Sequence, residues 1–381
     1  MKRIIPVFIC MFLLASTLTE TFSRAAGDAP PDISAKSAIV LHADTGRALY
    51  EKNAGARMLI ASTTKILTAL VVLESTLPDV AVTIKPEWTG ADGSSMYLKA
   101  GEKLTVRDLL YGLMLSSGND AAVALACSVA GDVSAFADLM NKKAQELGCQ
   151  NSHFENPSGL DGENHYSCAR DLALIAAAAM KIDTFAEIAS TKYVTAAGRS
   201  MKNHNRLLWE YEGMLGGKTG YTKSAGRTLV TCAERDELRL ICVTLSDPND
   251  WRDQSRLYDW AFSAYSVIGI TENAQRLYAE VISGTKKRVL LMAEGAREIL
   301  VRDGDAVDII PETPRFVYAP VVRGGLAGTV AVLINGELAG RYTLKYAETV
   351  RLDPGVPLTE REKLKRAWRM VNKYAPPLPL R

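Results

Sequence analysis

Between Leu59 and Leu73 the sequence "LIASTTKILTALVVL" carries a single charge, Lys65, three residues after Ser62. A solvated helix face carries several charges and a core helix carries none. Residues i and i+3 share a helical face, so the Lys65 amine can reach the Ser62 hydroxyl. Burial disfavours the ammonium form and leaves an amine able to take a proton. The start of a helix also offers backbone N–H groups where negative charge would develop. Such a pair turns a weak alcohol into a nucleophile. The spacing alone proves little, because a hydroxyl at a helix start is ordinarily an N-cap. Ser283-Gly-Thr-Lys286 repeats the spacing in a polar turn.

Two further elements accompany it. Ser117-Gly118-Asn119 lies at a break between two helical patterns, where a hydroxyl and an amide can project into a cleft. Lys218-Thr219-Gly220 follows Gly216-Gly217 and precedes Tyr221-Thr222, a pattern that fits a strand edge. There glycine lets a ligand approach the backbone, while lysine and threonine offer charge and hydroxyl to an anion. Each element alone reads as a turn or a cap. The ordered trio S-x-x-K, S-x-N, K-T-G is hard to assemble by accident.

The elements that must hold these residues follow from periodicity. Residues 37–52 read as two strands joined at Asp44-Thr45-Gly46. A helix opens at Ser62, and 104–130 reads as two helices interrupted at Ser116–Asn119. Helical patterns at 134–149 and 169–180 flank a loop at 151–165, strand–turn–strand character returns at 227–245, and a helix at 252–265. Strands at both ends with helices between predict one sheet under helical layers. After about residue 270 the pattern alternates between Gly-rich turns, which predicts a separate small all-β domain over 275–352.

The termini carry their own signals. Lys2 and Arg3 precede an uncharged run, Ile4 to Leu18, and then Ser23-Arg24-Ala25, which together read as a secretory signal peptide over 1–25. Its removal takes away Lys2, Arg3, Arg24 and Glu20, leaving 42 basic and 42 acidic residues. That balance lacks the basic excess of a nucleic-acid binder. Five cysteines remain, at 127, 149, 168, 232 and 242, with no CxxC or histidine cluster to suggest a metal and no assigned disulfide. From Thr359 to Arg381 seven Lys or Arg face two Glu. Leu364, Ala367, Trp368, Val371, Tyr374 and Ala375 share one helical side there, opposite Lys365, Arg366, Arg369 and Lys373. A basic amphipathic tail of this kind, over 359–381, fits a membrane interface.

The trio marks penicillin-binding proteins and, with Asp in its middle element, class A β-lactamases. Over roughly residues 35–352 the chain resembles the serine-type D-alanyl-D-alanine carboxypeptidases, the low-molecular-weight penicillin-binding proteins. "SSMYLKAGEKLTVRDLLYGLMLSSGNDAAVALA", "NPSGLDGENHYSCARDLALIA", "GGKTGYTKSAGRTLV" and "YAPVVRGGLAGTVAVLINGELAGRYTL" carry the resemblance. It implies an α/β, β-lactamase-like transpeptidase fold over 26–270: an antiparallel sheet of N- and C-terminal strands with helical layers, followed by the β domain. It implies that Ser62 attacks the bond between two D-alanines of a peptidoglycan stem peptide, with Lys65 as base and Ser117 as proton relay to the leaving amine. Asn119 would bond the substrate backbone, Lys218 and Thr219 of the K-T-G element that Gly220 closes would hold the terminal carboxylate region, and the N–H groups of Ser62 and Tyr221 would hold the oxyanion. No metal or cofactor is needed, β-lactams would acylate the same serine, and the enzyme would work outside the cytoplasmic membrane or in the wall space.

Two alternatives stand beside this. A class A β-lactamase requires a glutamate spaced three residues before an asparagine, whereas here Glu155 and Asn156 are adjacent. A non-catalytic wall-binding scaffold would have lost a motif side chain, and all are present.

Overall fold

The structure is a computed structural model that describes residues 29–269, 277–294 and 299–355, with Lys363 and Lys365. The expected signal peptide and most of the basic tail lie outside these residues.

A five-stranded antiparallel sheet forms the centre, in the order Ala48–Lys52, Ser37–His42, Leu238–Leu245, Gly226–Arg235, Met214–Thr222. N- and C-terminal strands therefore share one sheet, as expected. Ser37–His42 is buried along its whole length. Its alternate residues serve two cores: Ile39 and Leu41 join the helical layer, while Ala38 and Val40 pack with Leu257, Tyr258 and Ala261 of helix Asp250–Ala264. A strand covered on both faces has no need of polar alternation.

The helical layer surrounds helix Lys65–Ser75, which is buried from Lys65 to Val72. It packs against Val106–Met114, Asn119–Ala130, Val133–Glu146 and Ala169–Ala179. Helix Val106–Met114 starts at a capping box of Thr105 and Asp108, which satisfies two backbone donors and fixes where the helix begins. It ends at Met114, so that Ser117 falls in the break before Asn119.

The later part of the chain forms a six-stranded sheet, Val307–Glu312, Leu326–Ile334, Glu337–Tyr346, Arg288–Glu294, Tyr278–Ile282, Phe316–Tyr318, over a core containing Val289, Leu291, Val330, Val332 and Leu344. One feature was not expected: Tyr265–Ile268, directly after helix Asp250–Ala264, pairs with Ile299–Arg302 and crosses the boundary drawn near residue 270. Leu300 is buried beside Leu257 and Trp260 as a result. Short periodic segments reveal pairing partners poorly. The cysteines at 127, 149, 168, 232 and 242 are all unbridged. The second S-x-x-K match is spent on the surface, where Lys286 pairs with Glu348.

Candidate active site

Ser62 sits in a 3₁₀ turn, Ala61–Thr64, that runs directly into helix Lys65–Ser75. Ala61 just before it is left-handed, with φ +48°. The turn brings Lys65 Nζ to 2.9 Å from Ser62 Oγ. Lys65 is 0 % exposed, and its amine also meets Asn119 Oδ1 at 2.7 Å and the Ser158 carbonyl at 2.6 Å. Burial holds its pKa well below the ordinary lysine range, the charge of Lys218 lowers it further, and Asp120 opposes them.

These partners determine what the amine can do. A neutral amine has two N–H donors and one lone pair. A carbonyl and an amide oxygen can only accept. Once neutral, Lys65 gives its two protons to Ser158 and Asn119, and the lone pair is left for the Ser62 hydroxyl. The Asn119 amide is itself oriented, because Nδ2 donates to the Asp92 carbonyl at 2.5 Å. Both ends of this buried side chain are thus engaged inside the protein.

Ser62 and Ser117 line one cleft of about 340 Å³, together with Ser94, His204, Thr219, Gly220, Tyr221, Arg227, Asp250 and Trp251. Ser117 is left-handed at φ +57°, a conformation that costs a non-glycine residue free energy and recurs at functional sites. Asp120 ties this break to residues 95–98. Its carboxylate accepts from the Met96 and Leu98 N–H groups, each at 3.0 Å, and from Ser95 Oγ at 2.6 Å.

Lys218, Thr219, Gly220 and Tyr221 lie on Met214–Thr222, the open edge of the sheet. Lys218 is buried, its Nζ bonded to the Thr219 carbonyl at 2.9 Å, and burial lowers its pKa to about 7. Tyr221 faces Arg227 across the strand pair, and the Arg227 carbonyl accepts from Asp247 N on its other side. Tyr221 is therefore in a non-hydrogen-bonded pair, and its N–H points to the free edge. Gly220 lets this edge approach the nucleophile: a Cβ there would lie 3.0 Å from Ser62 N and 2.3 Å from Thr228 Oγ1. Two backbone donors thus flank the cleft beside Ser62.

Pattern reasoning named eight residues, and seven are brought together: Ser62, Ser117, Thr219, Gly220 and Tyr221 line the cleft, while Lys65 and Asn119 lie hydrogen-bonded beneath Ser62. Lys218 lies buried next to Thr219 rather than in the cleft wall. Ser158, Asp120, His204, Arg227, Asp250 and Trp251 were missed. Ser158 acts through a carbonyl, which no residue type signals. Arg227 and Asp250, 2.9 Å apart, reach the cleft from a strand and a helix far along the chain.

A serine hydroxyl hydrogen-bonded to a buried lysine, beside a β edge with outward N–H groups, is the arrangement of a serine hydrolase that works through an acyl-enzyme. Residues 24–249 match the D-alanyl-D-alanine carboxypeptidase family. The chain is 32 % identical over 371 residues to D-alanyl-D-alanine carboxypeptidase DacF of Bacillus subtilis, covering 92 % of this chain and 95 % of that one. It is 32 % identical to DacC of Escherichia coli, covering 89 % of each. Among solved structures, penicillin binding protein 5 from Haemophilus influenzae aligns with a TM-score of 0.68 at 30 % identity, covering 85 % of this chain and all of that one. The chain belongs to the D-alanyl-D-alanine carboxypeptidase family and is a serine-type peptidase of that activity.

Proposed function

We propose that Ser62 opens the peptide bond between the two D-alanines that end a peptidoglycan stem pentapeptide. Lys65 takes the Ser62 proton, the carbonyl carbon bonds to Oγ, and the electron pair moves to the carbonyl oxygen between the Ser62 and Tyr221 N–H groups. Ser117 passes a proton to the D-alanine nitrogen as the C–N bond breaks. Lys218 and Thr219 hold the terminal carboxylate region, with Gly220 keeping the edge strand close. Asn119 holds Lys65 through Oδ1, and Nδ2 meets the substrate backbone by letting go of the Asp92 carbonyl. Water then hydrolyses the ester. β-Lactams acylate the same serine.

The observation that carries this reading is the buried Lys65 amine, 2.9 Å from Ser62 Oγ, with its other two partners fixed as acceptors. The test is D-alanine release from a stem pentapeptide by the native enzyme and by Ser62→Ala. The variant is expected to lose activity on the order of 10⁴-fold or more. Retained release would transfer the chemistry to another group.

We place the peptidase domain at 26–270, the β domain at 275–352 and the tail at 359–381. The basic run that begins the sequence and its apolar successor favour export. The amphipathic tail favours contact with the outer face of the cytoplasmic membrane.

A further inference from the structure

The loop that follows Ser152 touches the nucleophile's surroundings twice. One contact is the Ser158 carbonyl on Lys65 at 2.6 Å. The other is His165, which is 1 % exposed and has both ring nitrogens committed. Nδ1 accepts the Glu155 N–H at 3.1 Å, and Nε2 lies 2.9 Å from Thr64 Oγ1. The Thr64 hydroxyl donates its one proton to the Ala61 carbonyl at 2.9 Å. It can therefore only accept from the ring, which must be the neutral tautomer with its proton on Nε2.

Ala61 directly precedes Ser62, and its φ of +48° is costly without outside support. The same loop supplies that support. Gly159, at φ +85°, passes so close that a Cβ there would lie 1.9 Å from the Ala61 oxygen. Asn156 shapes the loop, its Oδ1 accepting from the N–H groups of Ser158 and Gly159 at 3.2 and 2.8 Å. Phe154 meets the His165 ring edge-on at 5.7 Å. Burial lowers its pKa to about 4, outweighing the nearby carboxylates of Glu155 and Asp161, while His153 and Lys65 lower it further.

We propose that His165 is a positioning residue for acylation: through Thr64 it holds the Ala61 carbonyl, and with it the left-handed turn that aims Ser62 Oγ at Lys65 and at the substrate carbonyl. This rests on Ser62 being the nucleophile. A histidine suits the task because one buried ring presents an acceptor and a donor in opposite directions without a charge.

The test compares full-length His165→Leu, His165→Gln, Thr64→Val, Thr64→Ser and the His165→Leu/Thr64→Val double variant. Penicillin titration in rapid-mixing experiments separates the non-covalent Kd from the acylation rate constant. His165→Leu and Thr64→Val are each expected to slow acylation about 10–100-fold with Kd unchanged. His165→Gln, whose amide keeps one donor and one acceptor, and Thr64→Ser recover most of that loss. The double variant is no slower than the slower single one, because the two groups form one chain. Normal acylation by a folded Thr64→Val overturns the proposal, and so do losses that multiply in the double variant. If His165→Leu fails to fold, the Thr64 pair decides alone. Absence of a Ser62 adduct in the native protein overturns the nucleophile assignment itself, which intact-mass analysis reads separately.

Discussion

Lys65 and Lys218 are both buried, and they stand on different terms. Lys65 has three oxygen partners. Among the described residues, the Lys218 ammonium has one hydrogen bond, to the Thr219 carbonyl. A buried cation with so few partners weakens the fold that carries it. Burial lowers the Lys218 pKa from 10.5 to about 7. Between those values the unfolded chain binds more protons than the folded one, so this residue makes stability rise with pH across that window. Below about pH 7 its penalty is felt in full. Lys218→Met should therefore be more stable than the native protein at about pH 6, by roughly 1–4 kcal/mol, with the gap closing towards pH 10. D-Alanine release should fall at the same time. Urea unfolding at the two pH values checks this, and a gap that does not change with pH would refute it.

The edge strand and the Ser62 turn act as two jaws whose spacing depends on one missing methyl group. A Cβ on Gly220 would meet Thr228 Oγ1, Ser62 N and Ala61 Cβ at 2.3, 3.0 and 3.1 Å. Thr228 cannot easily yield, since its hydroxyl donates to the Ile60 carbonyl at 3.1 Å. Gly220→Ala must move Met214–Thr222 away from Ser62, and it is expected to slow acylation by about 100-fold. The strand is at the sheet edge, so thermal unfolding should change far less than activity. Equal rates of penicillin acylation in the variant and the native enzyme would show that the jaws have slack. Ser117 lies in a helix break for a related reason: in a regular helix it would share a face with the buried Leu113, four residues before it, instead of lining the cleft.

At the scale of the whole molecule, the β unit is fastened to the peptidase unit. Tyr265–Ile268 pairs with Ile299–Arg302, Asp303 N donates to the Ala264 carbonyl at 2.8 Å, and Leu300 is buried against helix Asp250–Ala264. The cleft that Ser62 and Ser117 line draws its walls from the first unit alone. Lys365 is helical and carries its ammonium 4.6 Å from the Tyr318 ring, at the edge strand of the second sheet. Lys365 thus lies against the β unit. A chain ending at residue 355 is expected to lose flotation with anionic vesicles while releasing D-alanine at the native rate. Unchanged flotation would remove the tail from the account of membrane contact.

Some of this was legible in residue order because the governing interactions are local. Three residues of helical spacing suffice to predict that Lys65 reaches Ser62, since a helical turn fixes that separation whatever surrounds it. The short apolar run Ala38–Leu41 before the Asp44-Thr45-Gly46 turn likewise announces Ser37–His42 as a strand, whereas the capping box that starts Val106–Met114 shows only in the structure. The partners that decide the state of the Lys65 amine come from elsewhere. Ser158 is 93 residues away and contributes only a carbonyl, and Asn119 is 54 residues away with its amide turned by Asp92. His165 looks like any histidine until Thr64 and Glu155 occupy its two nitrogens. Local order thus determined which groups could react. Only tertiary packing decided which acceptors surround the amine, because backbone carbonyls carry no residue identity and long-range contacts leave no period to read.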